Sequence, residues 1–265
     1  MGFAPDWLRL RAPADAAARD PGLAAAATQM AADRAGGDAP CIVDLGAGTG
    51  ATMRALAPIL PDGAQWRLID NDPALLACPP RLGGRARTVH ADLTALDALP
   101  LDGAALVTAS ALLDLASQDW LDGLAARLAA CGLPFYAALS YDGRMRWEPA
   151  LPGDGAITDA FNRDQRSDKG IGGPALGPDA ASRAADAFER AGYIVQLADS
   201  PWRLGPDMAQ LQAGHIAGVA HAAARAGMAG ADAWQSARRD LLDSTQAVIG
   251  HQDLLAVPRA GRGAQ

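Results

Sequence analysis

Short, solid apolar runs alternate along the chain with apolar stripes at helical spacing. Residues 13–35 form an Ala-rich stretch closed by Gly36-Gly37, which predicts one helix. "CIVDLG" then reads as a buried strand, and Met53, Leu56, Ala57 and Leu60 follow at i, i+3, i+4, i+7, one face of a helix. Pro61-Asp62-Gly63 is a turn. "QWRLID" predicts a second strand and "DPALLAC" a short helix with proline at an early, harmless position. "RARTVHAD" and "AALVTAS" predict strands three and four. Ser117 is an N-cap for a helix whose stripe is Leu121, Leu124, Ala125 and Leu128, closed by Gly132. "LPFYAALSY" predicts strand five. Gly177-Pro178 opens a helix with Ala184, Ala187, Phe188 and Ala191 on its buried face, ended by Gly192. "YIVQLADS" and "QAVIGHQDLLAVP" predict strands six and seven, with a bulge at Gly250. The tail "RAGRGAQ" is expected to fray.

Strands alternating with helices predict an α/β fold, a doubly wound, seven-stranded, mostly parallel sheet. Two long segments interrupt the alternation, at about 141–176 and 203–245, and the second reads as wholly helical. Segments of that length in a compact domain usually cover a functional site. The chain therefore divides into an N-terminal helical extension, 1–37, and a domain at 38–265 carrying two covering insertions.

Composition narrows the function. Half of the 265 residues are hydrophobic, enough for a sizeable core, while aromatics make up only 5%. The formal net charge is -7, and Arg81, Arg85 and Arg87 are too small a basic cluster to bind nucleic acid, where phosphate neutralisation supplies most of the affinity. Three cysteines, Cys41, Cys78 and Cys131, form no C-x-x-C, which points to a reducing compartment; Cys131, at a helix end, reads as core. No metal is expected, because His215 and His221 are six residues apart and no cysteine pair supports them. The N-terminus has acids and no long apolar run, so neither a signal peptide nor a membrane span is read there, and a cytoplasmic protein is expected.

The chemistry centres on "VDLGAGTGATMRAL" (43–56), a strand, a glycine turn and a helix. Glycines bare the backbone so that a ligand approaches without meeting a Cβ. "GAGTGA" fits G-x-G-x-x-A, a dinucleotide signature. It equally fits G-x-G-x-G led by an acid. Asp70, which ends strand two, could accept hydrogen bonds from ribose hydroxyls in either case. The turn alone leaves both open.

"VDLGAGTG", "LIDNDP", "VHADL" and "TASALLDL" together resemble the successive motifs of the class I S-adenosylmethionine-dependent methyltransferases. The likeness spans roughly residues 40–140 and resumes at strands six and seven. It implies a Rossmann-like methyltransferase fold with S-adenosyl-L-methionine as cofactor. It further implies that Gly46, Ala47, Gly48 and Gly50 approach the methionyl and ribose part, and that Asp44 lies near the ammonium. Asp70, with Asn71 beside it, would take the ribose diol; Asp92 and Leu93 would flank the adenine. Such a ligand has no pyrophosphate, so a site with acids along its length and no phosphate-binding base suits it.

The acceptor should lie beyond the carboxyl ends of the strands. Ser110 and Asp114 follow strand four there, facing the methyl group. Tyr141, Asp142 and Arg144 leave strand five on the same edge. Asn162, Arg163 and Arg166 could share a helix face and reach an anionic substrate. Tyr141, Asp142 and His251 are candidate bases, needed only if the acceptor must lose a proton. Trp147 and Trp202 could line an apolar pocket, though packing is the simpler role. No [DN]-P-P-[YFW] follows strand four, which weakens methylation of nucleic-acid bases. The expected function is methyl transfer to a small-molecule acceptor. The alternatives are an NAD(P)-dependent oxidoreductase, a non-catalytic donor-binding protein that dimerises through the Ala-rich insert, and non-methyl chemistry on the sulfonium.

Overall fold

A computed structural model describes residues 5–77 and 85–259. Cys78, Arg81 and the tail from residue 260 onwards lie outside the described residues. The predicted N-terminal helix is two helices, α1 (Pro5–Ala18) and α2 (Pro21–Ala35). The break lies at Asp20-Pro21. Asp20 leaves helical geometry and accepts a hydrogen bond from Leu23 N at 2.7 Å, and Pro21 takes the first helical position of α2. Gly36, left-handed at φ +60, ends α2.

The sheet holds β1 (Cys41–Leu45), β2 (Gln65–Asp70), β3 (Ala86–His90), β4 (Leu106–Ser110), β5 (Phe135–Glu148), β6 (Tyr193–Asp199), β7 (Trp202–Leu204) and β8 (Gln246–Pro258). Its order is β3-β2-β1-β4-β5-β8-β6, with β7 pairing β8. The first five strands are mutually parallel, and β8 runs antiparallel to β5, β6 and β7. Among the described residues the expected seven strands are thus eight. β7 is a three-residue strand inside the stretch read as wholly helical. Strand five also runs on to Glu148, eight residues into the first insertion as drawn from sequence. The irregularity foreseen at Gly250 sits across from it. Between the pairs Tyr141–His251 and Met145–Ile249, residues 142–144 of β5 oppose that one glycine.

The helices are α3 (Ala51–Leu56), α4 (Pro73–Leu76), α5 (Gln118–Cys131), α6 (Asp154–Gln165), α7 (Ala180–Arg190), α8 (Ala209–Arg225) and α9 (Ala231–Arg239). Ser117 caps α5 by accepting from Trp120 N at 3.2 Å, and the stripe Leu121, Leu124, Ala125, Leu128 is buried as its spacing requires. Cys131, the last residue of α5, is exposed and is not core. Strand side chains alternate between two cores. Val43, Leu45 and Val107 pack with α5 and α7 on one face, while Ile42, Leu68 and Leu106 pack with α2 and α3 on the other. A third cluster, including Trp147, Ile157, Trp202, Val219 and Trp234, joins the far end of β5 to α6, α8 and α9. Among the described residues no helix is long and apolar enough to cross a membrane.

Candidate functional site

The glycine turn follows directly from β1. Gly46 and Gly48 take φ +63 and +53, where an L side chain is strained, and a Cβ on Gly46 would stand 2.8 Å from Leu112 Cδ1. Asp70 fastens the turn from the neighbouring strand. Its Oδ2 accepts from Gly48 N at 2.7 Å and its Oδ1 from Asp72 N at 2.9 Å. Each oxygen keeps a second lone pair for a ligand hydroxyl.

A cavity of about 220 Å³ opens beyond this turn. Gly46, Ala47, Gly48, Asp70, Asn71, Asp92, Leu93 and Ser110 all line it. Asp44 and Gly50 do not. Gly50 instead ends the turn as the left-handed N-cap of α3, at φ +80. Asp72 caps α4 by accepting from Ala74 N, which leaves Asn71 as the member of that pair with no capping duty. Asp92 is exposed and accepts from Thr94 N at 2.9 Å; those Thr94 hydrogen bonds hold its carboxyl below the usual range. Leu8, Arg11 and Asp15 of α1 complete the wall. The stretch read as a mere extension therefore forms part of the site.

Behind the turn lies a second polar layer. Asp44 is 1% exposed; Thr108 Oγ1 donates to its Oδ1 at 2.8 Å, and its Oδ2 has no partner. Burial pushes its carboxyl up to about 7, against the opposing pull of Thr108 and the Arg19 guanidinium. Arg19 gives one N–H to Ser110 Oγ at 2.8 Å, while its Nε and Nη1 are buried and unpartnered. Buried polar groups are normally paired. A half-satisfied acid and a half-satisfied guanidinium stand just behind the cavity wall, Arg19 reaching it through Ser110, and together they match the chemistry of an amino acid's two charged ends. With bare glycines and acids at three strand ends, these residues fit S-adenosylmethionine. Arg19 escaped the sequence reading, because nothing in the spacing of α1 and α2 marks it.

A second cavity, of about 400 Å³, meets the first at Arg11, Ala111, Leu115 and Lys169. Asp114, Tyr141 and His251 line it. Asp142 does not. Its carboxylate turns to the other side of β5, where it packs against Gly250 and holds the Arg144 guanidinium, so Arg144 is tied to Asp142 and Asp199. Asn162 is also absent from the lining; it accepts from Tyr141 Oη at 2.9 Å and donates to Gly143 O at 3.0 Å. Arg163 and Arg166 point outward, Arg166 onto Asp179 at 3.0 Å. The reason is helical phase. Ile157, Ala160 and Asp164 are the buried positions of α6, so Phe161 and Gln165 face the cavity instead of the arginines.

The cations that do line this cavity are all ion-paired. Arg11 donates to Asp15 at 2.9 Å, while Lys169 and Arg225 share Asp164 at 2.9 and 2.6 Å. Asp114 is buried, its Oδ1 is unpartnered, and burial pushes its carboxyl up to about 6, with Arg11 and Lys169 pulling it back. Burial drives the Tyr141 hydroxyl well above its usual range, and lowers His251 to about 3 and His215 to about 4. At neutral pH Tyr141 is a hydrogen-bond donor and His215 and His251 are uncharged, while Asp114 is poised near the working range. Trp202, given a packing role from sequence, is buried yet forms part of the wall, with its indole 5.1 Å from the His251 ring. Trp7, Arg11 and His215 were missed. Among the described residues two non-glycine residues take left-handed geometry, Ala111 (φ 49) just past the end of β4 and Leu139 (φ 59) inside β5, and both line the second cavity. Strain of this kind concentrates at binding sites. Among the described residues no group of His, Cys, Asp and Glu side chains could hold a metal ion.

No family model matches the chain, and no curated protein matches it in sequence. Solved structures do. The chain covers 96% of itself on human N-acetylserotonin methyltransferase, solved with SAM, at 13% identity and TM-score 0.47. On a Haemonchus contortus phosphoethanolamine N-methyltransferase it covers 84%, at 12% identity and TM-score 0.44. It spans about half the length of these two, 53% and 49%. The cyclopropane synthase MmaA2 from Mycobacterium tuberculosis aligns over 96% of this chain and 94% of its own, at 12% identity and TM-score 0.51. Strand order, glycine turn and this end-to-end superposition agree: the chain has the Rossmann-like fold of the class I S-adenosylmethionine-dependent methyltransferases.

Proposed function

We propose that the protein is an enzyme that transfers a methyl group from S-adenosylmethionine to a small-molecule acceptor held in the second cavity. The observation that carries this reading is the bare-glycine turn of the first cavity, with Asp70 and Asp92 at successive strand ends and the unpartnered Asp44 Oδ2 and Arg19 Nε and Nη1 in the layer just behind it. A ligand ending in an ammonium and a carboxylate complements that layer; a dinucleotide has no ammonium to offer Asp44. Asp70 and Asn71 would take the ribose hydroxyls, and Asp92 with Leu93 would flank the base. When bound, the cofactor supplies an activated methyl on a sulfonium.

The protein's part is alignment and the exclusion of water. Holding two reactants in line is worth up to roughly 7–11 kcal/mol in favourable cases. α1 (Pro5–Ala18) and the insertions at about 141–176 and 203–245 form the roof. The net charge of -7 and the size of the cavity favour a small acceptor over nucleic acid, and the sparse cysteines favour the cytoplasm.

Thermal denaturation with S-adenosylhomocysteine and with NAD tests this. At about 100 times its dissociation constant a ligand adds roughly 2.7 kcal/mol, about 5–10 °C for a chain of this size. The expected result is a shift with S-adenosylhomocysteine alone, lost in Asp70→Ala when each protein is compared with its own ligand-free Tm. A shift with NAD alone, or with neither ligand, overturns the proposal.

A further inference from the structure

Accepting that reading, the second cavity restricts what can be methylated. Its walls are aromatic, with Trp7, Tyr141, Phe161 and Trp202 around a volume of about 400 Å³, the size of a small-molecule pocket. Its charges balance only with Asp114 ionised: Arg11 pairs with Asp15, Lys169 and Arg225 share the one carboxylate of Asp164, and Asp114, the carboxylate without a short ion pair, offsets the remaining positive charge. An anionic acceptor would have to break an existing pair and would also meet the Asp114 carboxylate. A cationic acceptor would add to the cations that already offset Asp114. The cavity's unsatisfied groups ask for hydrogen-bond donors. Asp114 Oδ1 is buried without a partner. His251 Nδ1 lies 3.0 Å from Ile249 O, so that nitrogen carries the proton and Nε2 presents a lone pair. Asp114 also sits at the right place, since Ala111 and Leu115 on either side of it line both cavities.

We propose that the acceptor is an uncharged aromatic ring compound bearing a hydroxyl, and that Asp114 is the catalytic residue that takes the hydroxyl proton as the oxygen is methylated. The acceptor's O–H bond breaks and its proton passes to the ionised Asp114 Oδ1. The oxygen forms its bond to the methyl carbon as the carbon–sulfur bond breaks. The sulfonium charge and the Asp114 charge are lost together, giving a methyl ether, a neutral thioether and a protonated Asp114, which then releases its proton to water. Burial supports the role by setting Asp114 near 6, where a base is ionised at pH 7 yet still able to accept. The charged and titratable groups that face it are Arg11 of α1, Lys169 after α6, and Tyr141 of β5.

The test uses the full chain loaded with S-adenosylhomocysteine and three probes: 2-naphthol, naphthalene and 2-naphthoate. Trp7 and Trp202 line the cavity, so quenching of tryptophan emission reports binding without turnover. The expected result is that 2-naphthol binds at least tenfold more tightly than either of the others. With S-adenosylmethionine, the wild type should form the naphthyl methyl ether. Asp114→Asn should bind 2-naphthol within about threefold of wild type and retain its thermal shift with S-adenosylhomocysteine, but form the ether about 10²–10⁴-fold more slowly. Equal or tighter binding of 2-naphthoate or naphthalene, or ether formation undiminished in Asp114→Asn, overturns the proposal. Failure of S-adenosylhomocysteine to shift the wild type is a different result: it overturns the cofactor reading, and the acceptor assignment falls with it.

Discussion

Asp44→Asn is expected to make the ligand-free protein more stable at pH 8 while removing its response to S-adenosylhomocysteine. Asp44 is buried and its carboxyl is raised to about 7 from an ordinary 3.8. Below pH 4 the folded and unfolded chains both hold the proton, and the residue costs nothing. Between about 4 and 7 the unfolded chain ionises while the folded chain does not, so stability falls as pH rises, and above about 7 the loss is complete. The full penalty is of order 4 kcal/mol. Asparagine cannot ionise, and it keeps an acceptor for Thr108 Oγ1, though it adds an unpartnered N–H₂ near Arg19. That offset costs about 1–3 kcal/mol. The net gain should therefore be about 1–3 kcal/mol, visible as a Tm higher by roughly 2–4 °C per kcal/mol. Denaturation of both proteins from pH 3.5 to 8 checks it: the variant should be the less stable protein at the acid end, overtake wild type between 4 and 7 and then hold a constant lead. A variant equal to or less stable than wild type at pH 8 would mean that Asp44 is not held in strain for a ligand. Gained stability with an intact S-adenosylhomocysteine shift would mean that it is strained but binds nothing.

The same residue shows what the sequence could and could not disclose. Asp44 stood out as the acid that leads the glycine turn, and the resemblance places it near a ligand ammonium. The lining of the first cavity was legible for a related reason: glycines, acids and strand ends sit at fixed offsets from one another, and the backbone alone brings Gly46, Gly48, Asp70 and Asp92 to one sheet edge. The roof was not legible, because its side chains meet only through tertiary packing. Arg163 and Arg166 drew attention by their charge, yet the phase of α6 is set by Ile157 and Ala160, and this turns Phe161 and Gln165 inward. Trp7 and Arg11 lie before the stretch read as the first helix, and the Asp20-Pro21 break lets α1 part from α2 to lie over the cavity. His215 and His221 were weighed only as zinc ligands. Their helix places both on the cavity wall, with Gly214, Gly218 and Arg225 on the same face. β7 is too short to show a period at all.

Among the ion pairs of that roof the one on α9 has the most buried cation, and breaking it carries the largest expected loss of stability. Arg238 on α9 is fully buried. Its guanidinium donates to both Asp154 oxygens and to Pro149 O, and lies over the Trp147 ring with its carbon 5.2 Å from the centroid. Trp234 Nε1 donates to Asp154 Oδ1 at 2.8 Å, and Leu151 N to Oδ2 at 2.9 Å. Burial alone would raise the Asp154 carboxyl, but these donors hold it below its usual range. Asp154→Ala leaves the buried guanidinium with one carbonyl and a ring face. The expected cost is about 3–5 kcal/mol, the penalty for an uncompensated buried charge. A double variant, Asp154→Leu with Arg238→Met, removes both charges and should recover most of that loss. The cluster ties α6 and α9 to the far end of β5, away from the glycine turn. Asp154→Ala should therefore weaken 2-naphthol binding while the thermal shift with S-adenosylhomocysteine persists. Urea denaturation of the single and double variants, with both ligands titrated into each, checks the whole chain of reasoning. A single variant within about 1 kcal/mol of wild type would show that the roof is held by its apolar contacts. Loss of both ligand responses together would show that roof and sheet fold as one unit.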